Sequence, residues 1–199
     1  MSGMALFPSS HHLLPGGRLE VTIAEEKYLR MIKQSLKAER SFALCMLNEG
    51  EEHDEIKKIP AIATEAEVID FNNAGNGLLS VILEGKQKVR LIAIRIEEDG
   101  LLYADYLLYP NWLTEPIDES TLCLAEKLKL FYATMPEIGS LYPTPSYDDI
   151  TWVSQRWVEI LPLEVQYKQL LITQESIKLT VRFLLKLLDN DELPIPELV

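Results

Sequence analysis

The sequence predicts an α+β fold: a curled antiparallel sheet or barrel over about residues 1–110, an α-helical half over 118–190, and a tail, 191–199. Three observations carry this. Up to Tyr109, short apolar runs, several of them alternating with period two, are separated by Gly-, Asn- and Pro-containing turns, the signature of half-buried strands. The character then changes at Pro110, and Asn111 to Ser120, which carries Pro116, reads as an irregular linker. From Leu122 onward apolar residues recur at helical spacing and strand patterning disappears.

The elements follow in order. Leu6 and Phe7 open an apolar strand that stops at Pro8. Pro15, Gly16 and Gly17 reverse the chain, because proline fixes its own φ and the glycines permit positive φ. Leu19, Val21 and Ile23 alternate as a strand. Ala24 to Lys37 reads as an amphipathic helix with Tyr28, Leu29, Ile32 and Leu36 on one face and Glu25, Glu26, Lys27, Arg30 and Lys33 on the other. Ser41 to Leu47 is a strand, followed by an acidic loop from Asn48 to Glu55.

Pro60 leads into a strand from Ile62 to Phe71, and Asn72 to Gly77 form a turn of residues tolerant of positive φ. Leu78 to Glu84 is the next strand. Gly85 marks a tight turn or a bulge. Lys86 to Arg95 continues with Val89, Leu91 and Ala93 on one face and Lys88, Arg90, Ile92 and Ile94 on the other. Glu97 to Gly100 turn the chain into a last strand, Leu101 to Tyr109.

In the second half Ala125 to Thr134 is helical, stopped by Pro136 and Gly139, and Pro143 and Pro145 make 140–146 irregular. Asp148 or Asp149 caps a helix carrying Ile150, Val153, Trp157, Ile160 and Leu161. Pro162 begins another, with Leu163, Tyr167, Leu170 and Leu171. Thr173 caps a last one, with Ile177, Val181, Leu184, Leu185 and Leu188 on one face.

Composition bounds the function. The chain has 199 residues, 47% of them hydrophobic and 25% charged, enough to bury a core without disulfides or metals. Its net charge of −12 repels phosphate, which argues against nucleic acid and against an anionic membrane surface. No apolar run reaches the roughly 18 to 20 residues that span a bilayer. The first residues lack a basic stretch followed by an apolar one, so no secretory signal is read and the cytoplasm is the expected setting. Cys45 and Cys123 both sit in apolar patterns and are expected to be small core residues, with no zinc or disulfide framework.

Candidate chemistry is sparse. Gly85 and Lys86 are followed by Gln87, and Ser80 stands where a P-loop needs glycine. No serine carries a lysine at Ser-x-x-Lys spacing. His11 and His12 are neighbours whose side chains diverge in an extended loop, and His53 lies among acids. All three are read as solvated, and Glu51 and Glu52 as a solvated charge run. No catalytic residue, metal ligand or cofactor site is assigned.

Aromatic residues cluster where the halves join. Trp157 and Tyr106 are expected in cores, whereas Tyr109, Trp112, Tyr142 and Tyr147 stand beside prolines in irregular segments. They are the candidates to line a cleft that binds apolar peptide.

The opening, with Leu6, Phe7 and Pro8, the Pro15–Gly16 turn, a strand, and a helix bearing Tyr28 and Leu29, resembles that of the Lon protease N-terminal domain, a domain also found in cereblon-type proteins. Further segments match in order: Gly77, Leu78 and Leu79 with Glu84 and Gly85; then Glu98, Asp99, Gly100 and Leu101; then Leu161, Pro162 and Leu163 followed by Lys168, Gln169, Leu170 and Leu171. The resemblance implies a PUA-like β subdomain and a helical bundle. It also implies a non-catalytic module that recognises unfolded or exposed polypeptide, with an adaptor role for a protease or chaperone as the expectation. Two alternatives stand beside it. One is a small-molecule binder by analogy with cereblon, whose ligand-binding module is a separate zinc-bound one needing cysteines this chain lacks. The other is a hydrolase with an unrecognised site.

Overall fold

A computed structural model of the chain describes residues 3–48, 56, 59–75 and 78–189. Glu51, Glu52 and His53 of the acidic loop, Gly77 and the tail 191–199 lie outside the described residues. The chain divides into two compact units, Met1–Asn111 and Trp112–Val199.

The first unit holds six strands and one helix: β1 Met4–Ser9, β2 Arg18–Ile23, α1 Glu26–Leu36, β3 Phe42–Met46, β4 Ile62–Gly75, β5 Leu78–Ile96 and β6 Leu102–Leu108. The sheet runs β2-β5-β4-β3-β1-β6, and β6 also pairs with β5. Five strands therefore close into a ring, with β2 on the flank against the first half of β5. β1 and β3 are parallel and every other pair is antiparallel. A parallel pair needs a long crossover, and β2 with α1 supplies it.

Closing the sheet while covering one side with α1 leaves β1 and β3 buried on both faces. Met4, Leu6, Ala43 and Cys45 form one core with Val89, Leu91 and Ala104; Ala5, Phe42 and Leu44 form another with Met31 and Ile32 of α1. This explains why Phe42–Met46 is a continuous apolar run instead of an alternating one. It also corrects the expected helix face. Met31 is buried while Leu36, at the helix end, is 50% exposed.

Gly85 is a bulge inside one long strand and not a turn. Glu65 pairs with Gln87 and Ala66 with Gly85, so one extra residue is accommodated at Lys86. The glycine is needed because the Pro-Gly-Gly turn docks on it. A Cβ there would lie 2.3 Å from the Leu14 carbonyl oxygen. Gly16 N–H donates to Gly85 O at 2.8 Å, and Gly85 N–H to Gly17 O at 3.0 Å. The Glu98–Leu101 segment is likewise a turn, with Gly100 at φ 84° and Asp99 accepting from Leu101 N–H. Glu97 ties this turn to α1 and the chain after it through Arg30 and Arg40.

In the second unit lie α2 Leu122–Thr134, α3 Pro136–Gly139, α4 Ile150–Ile160, α5 Val165–Ile172 and α6 Lys178–Asp189. Pro136 opens α3, where a missing N–H costs nothing, as well as ending α2. Asp149 caps α4 by accepting from Thr151 N–H at 2.9 Å. The next helix begins at Val165, later than Pro162, and Leu163 N–H turns back to Leu161 O. Thr173 ends α5 instead of starting α6, because its hydroxyl donates to the Gln169 and Leu170 carbonyls of the last turn. Cys45 is buried as expected. Cys123 is exposed, since the core side of α2 is formed by Leu124, Ala125, Leu128, Phe131 and Tyr132.

Candidate functional site

The outer face of the β5–β6 pair departs from ordinary patterning by exposing apolar side chains close together. Arg90 pairs with Leu107, and a bulge between Leu91 and Ala93 leaves Ile92 outside the regular register. Leu91 turns into the core, so Ile92 is presented to solvent at 61% exposure, on the face that carries Leu107 at 59%; Leu108, paired with Val89, is on the opposite face of β6 and is 69% exposed. Scattered exposed apolar residues are normal on a protein surface; several on one short ladder are not.

Tyrosines with cations over their rings stand at both ends of this strip. At one end the Tyr109 ring faces the Lys88 ammonium and the Arg90 guanidinium, each 5.2 Å from its centroid. At the other, Arg40 and Arg95 both lie 5.8 Å from the Tyr103 ring. Arg95 is neutralised by Asp105 at 2.7 Å, and Arg40 by Glu97 at 2.6 Å. Lys88 is itself buried, which pushes its pKa down to about 8. The Tyr109 end is anchored by Asn111, whose side chain accepts from Lys88 N–H and donates to Lys86 O.

The strip also has a backbone edge. β1 pairs with β6 only at Met4–Ala104 and Ala5–Tyr103. Asp105 to Leu108 therefore have β5 as their one strand neighbour among the described residues. An edge with exposed apolar side chains is a template for an added strand.

Of the four aromatic residues read from the sequence, Tyr109 is the one on this strip. Trp112 is 9% exposed, and its Nε1–H donates to Gln174 O at 2.7 Å. Tyr142 is buried and stacks on Tyr132 with ring centroids 5.2 Å apart. Tyr147 is half-buried, edge-on to Trp152 at 5.9 Å, and burial raises its hydroxyl pKa. The structure thus brings Tyr142 and Tyr147 together around Trp152, within the packing of the second unit. Trp157 is fully buried, with its Nε1–H on Leu124 O at 3.0 Å, and Tyr106 packs against the barrel core. Ile92, Leu107, Leu108 and Arg90 were not singled out from sequence. The available signal was Ile92 itself, an isoleucine on the strand face that also carries Lys88 and Arg90.

Other polar groups are structural. His11 is exposed and His12 half-buried. Arg156, fully buried, makes a two-pronged pair with Glu159 at 2.6 and 2.9 Å and lies over the Trp152 ring. Lys168 is 2% exposed and its ammonium donates to Glu159 O at 3.1 Å, closing the C-terminal end of α4. Burial lowers its pKa to about 8. Among the described residues no group of three His, Cys, Asp or Glu could hold a metal ion, and no helix is long and apolar enough to cross a membrane.

A family model for the ATP-dependent protease La (LON) substrate-binding domain matches residues 3–190. Among solved structures, the Lon N-terminal domain protein from Xanthomonas campestris aligns with a TM-score of 0.71 at 22% identity, covering 94% of this chain and 98% of that one. The N-terminal domain of the Mycobacterium avium complex Lon protease aligns with a TM-score of 0.63 at 14% identity, over 96% of this chain and 100% of that one. At these identities the likeness is one of fold. No curated protein matches the chain significantly.

Proposed function

Because this chain belongs to the family of LON substrate-binding domains, we propose that it is a polypeptide-recognition module that takes hold of extended, apolar stretches of unfolded protein. The observation that carries the reading is the strip Ile92, Leu107 and Tyr109 on one face of β5–β6, beside a strand edge unpaired beyond Ala104 among the described residues. An extended chain added there would satisfy backbone groups of β6 while its alternate side chains cover the exposed leucine and isoleucine. Folded proteins offer no such segment. Unfolded ones do.

In the same reading the module has no catalytic role of its own and acts in the cytoplasm as an adaptor delivering bound chain to a protease or chaperone. The charge of −12 disfavours nucleic acid and anionic membranes as partners. The ring of strands is taken as PUA-like and the helices of 118–190 as a bundle. Tyr109 is the aromatic contact placed in the recognising surface.

The test is titration of a labelled, permanently unfolded polypeptide with the full chain, followed by fluorescence anisotropy, against a folded control. A fully buried Leu is worth about 1.5–3 kcal/mol, and Leu107 has roughly half its surface to contribute. Leu107→Ser should therefore weaken binding of the unfolded chain by about fivefold to tenfold. Equal binding of folded and unfolded protein, or an unchanged affinity in Leu107→Ser, would rule the reading out.

A further inference from the structure

Arg90 differs from the other arginines beside the strip. Arg40 and Arg95 each have a carboxylate partner within 2.7 Å. Arg90 is exposed, is directly paired in register with Leu107, and contacts the Tyr109 ring, but pairs with no carboxylate among the described residues. A cation–π contact leaves the guanidinium N–H groups without an acceptor of their own, so Arg90 remains a donor fork for a planar anion. It stands at the end of an apolar strip and next to an open strand edge. We propose that the segment bound on β5–β6 is apolar and carries a carboxylate that seats on Arg90. This rests on the polypeptide-recognition reading and names the class of chain it takes.

The opposite expectation comes from the net charge of −12, which would favour basic segments. Distance decides between the two. At physiological salt the screening length is about 8 Å, so acids farther than that are muted, while a carboxylate hydrogen-bonded to Arg90 is not. Lys88, above the same tyrosine ring, adds a second positive charge to that end of the strip. Two basic groups thus meet at one tyrosine on a chain whose net charge is −12.

The experiment uses the full chain and four labelled peptides sharing one apolar, extended sequence. Three have an amidated C-terminus and differ only in a residue placed to reach Arg90: Glu, Gln or Lys. The fourth has Gln there and a free C-terminal carboxylate. At low salt the Glu peptide should bind up to about fivefold tighter than the Gln peptide, the range of an exposed ion pair, and the Lys peptide weaker than either. The difference should collapse at 1 M salt, where screening acts within about 3 Å. Arg90→Glu should reverse the order, Arg90→Gln should abolish it, and Arg90→Lys should restore most of it. If only the fourth peptide exceeds the amidated Gln peptide, the carboxylate is a chain terminus and not a side chain.

Equal affinity for all four peptides overturns the acidic preference and leaves polypeptide recognition standing. A Glu preference that survives Arg90→Glu overturns the role of Arg90. Binding of none overturns both the proposal and the reading beneath it.

Discussion

Replacing Gly85 by alanine is the sharpest structural perturbation this fold allows. The added methyl would sit 2.3 Å from the Leu14 carbonyl oxygen and 2.8 Å from its carbon. Both are backbone atoms and cannot rotate away, so the Pro15–Gly17 turn must lift by about 1 Å to reach ordinary van der Waals separation. That movement stretches both hydrogen bonds joining the turn to β5, Gly16 N–H to Gly85 O and Gly85 N–H to Gly17 O. Overpacking of this kind costs about 1–3 kcal/mol and each weakened hydrogen bond about 1 kcal/mol, against a gain of about 0.4–1 kcal/mol from a stiffer unfolded chain. The expected net loss is about 2–4 kcal/mol. Gly100→Ala is the control. Its difficulty is the backbone alone, with φ 84°, and nothing lies within 4 Å of its Cβ, so only torsional strain of about 1 kcal/mol applies. The assay is native-state hydrogen exchange of the β2 and β5 amides, because all three tryptophans, Trp112, Trp152 and Trp157, lie outside the first unit. A loss in Gly85→Ala no greater than in Gly100→Ala would refute the close-approach argument.

Further outcomes are expected elsewhere. Burial brings the ammonium groups of Lys88 and Lys168 to about 8, below the usual 10.5. Between those two values the unfolded chain holds protons that the folded one has released, so stability rises with pH across the window, by up to about 3 kcal/mol per lysine. Burial also raises the Cys45 thiol and the Tyr132 hydroxyl, so ionisation of the unfolded thiol above about pH 8.5 and of unfolded tyrosine above about pH 10 opposes part of the rise, leaving two lysines against one cysteine in the window. Urea midpoints at pH 7.5 and 9.5 should therefore increase, and Lys168→Met should flatten its share; a profile without slope excludes both depressed values. Glu159→Ala leaves the fully buried Arg156 without its two-pronged partner and should cost about 3–5 kcal/mol, read from tryptophan fluorescence during unfolding. Asp149→Ala removes the acceptor for Thr151 N–H at the start of α4 and for Glu115 N–H, and about 1–2 kcal/mol is expected on the same readout. A change below 0.5 kcal/mol, the ordinary range for a surface substitution, would mean water replaces the cap without penalty.

What the sequence determined by itself was local. The alternation of Leu19, Val21 and Ile23 dictates a strand, and the spacing of Val153, Trp157 and Leu161 dictates a helix face, because each pattern is complete within a few residues. The Asp149 cap and the Gly100 turn are legible for the same reason: donor, acceptor and special φ are neighbours in the chain. The ordered segments from Leu6 to Leu171 also pointed to the family, which the match over residues 3–190 shows. Tertiary structure decided what depends on distant partners. That Gly85 is a bulge follows from the Leu14 carbonyl, which no local pattern places there. That Trp112 reaches a carbonyl at Gln174 while Tyr109 remains partly open on the strip depends on packing between elements far apart in sequence. Alternation puts Ile92 on the face of Arg90, but that this face of β5 stays uncovered, and that β6 beyond Ala104 has no second strand partner among the described residues, follows from how the strands meet. Periodicity encodes which face of an element is apolar; only the meeting of elements determines which apolar face stays uncovered.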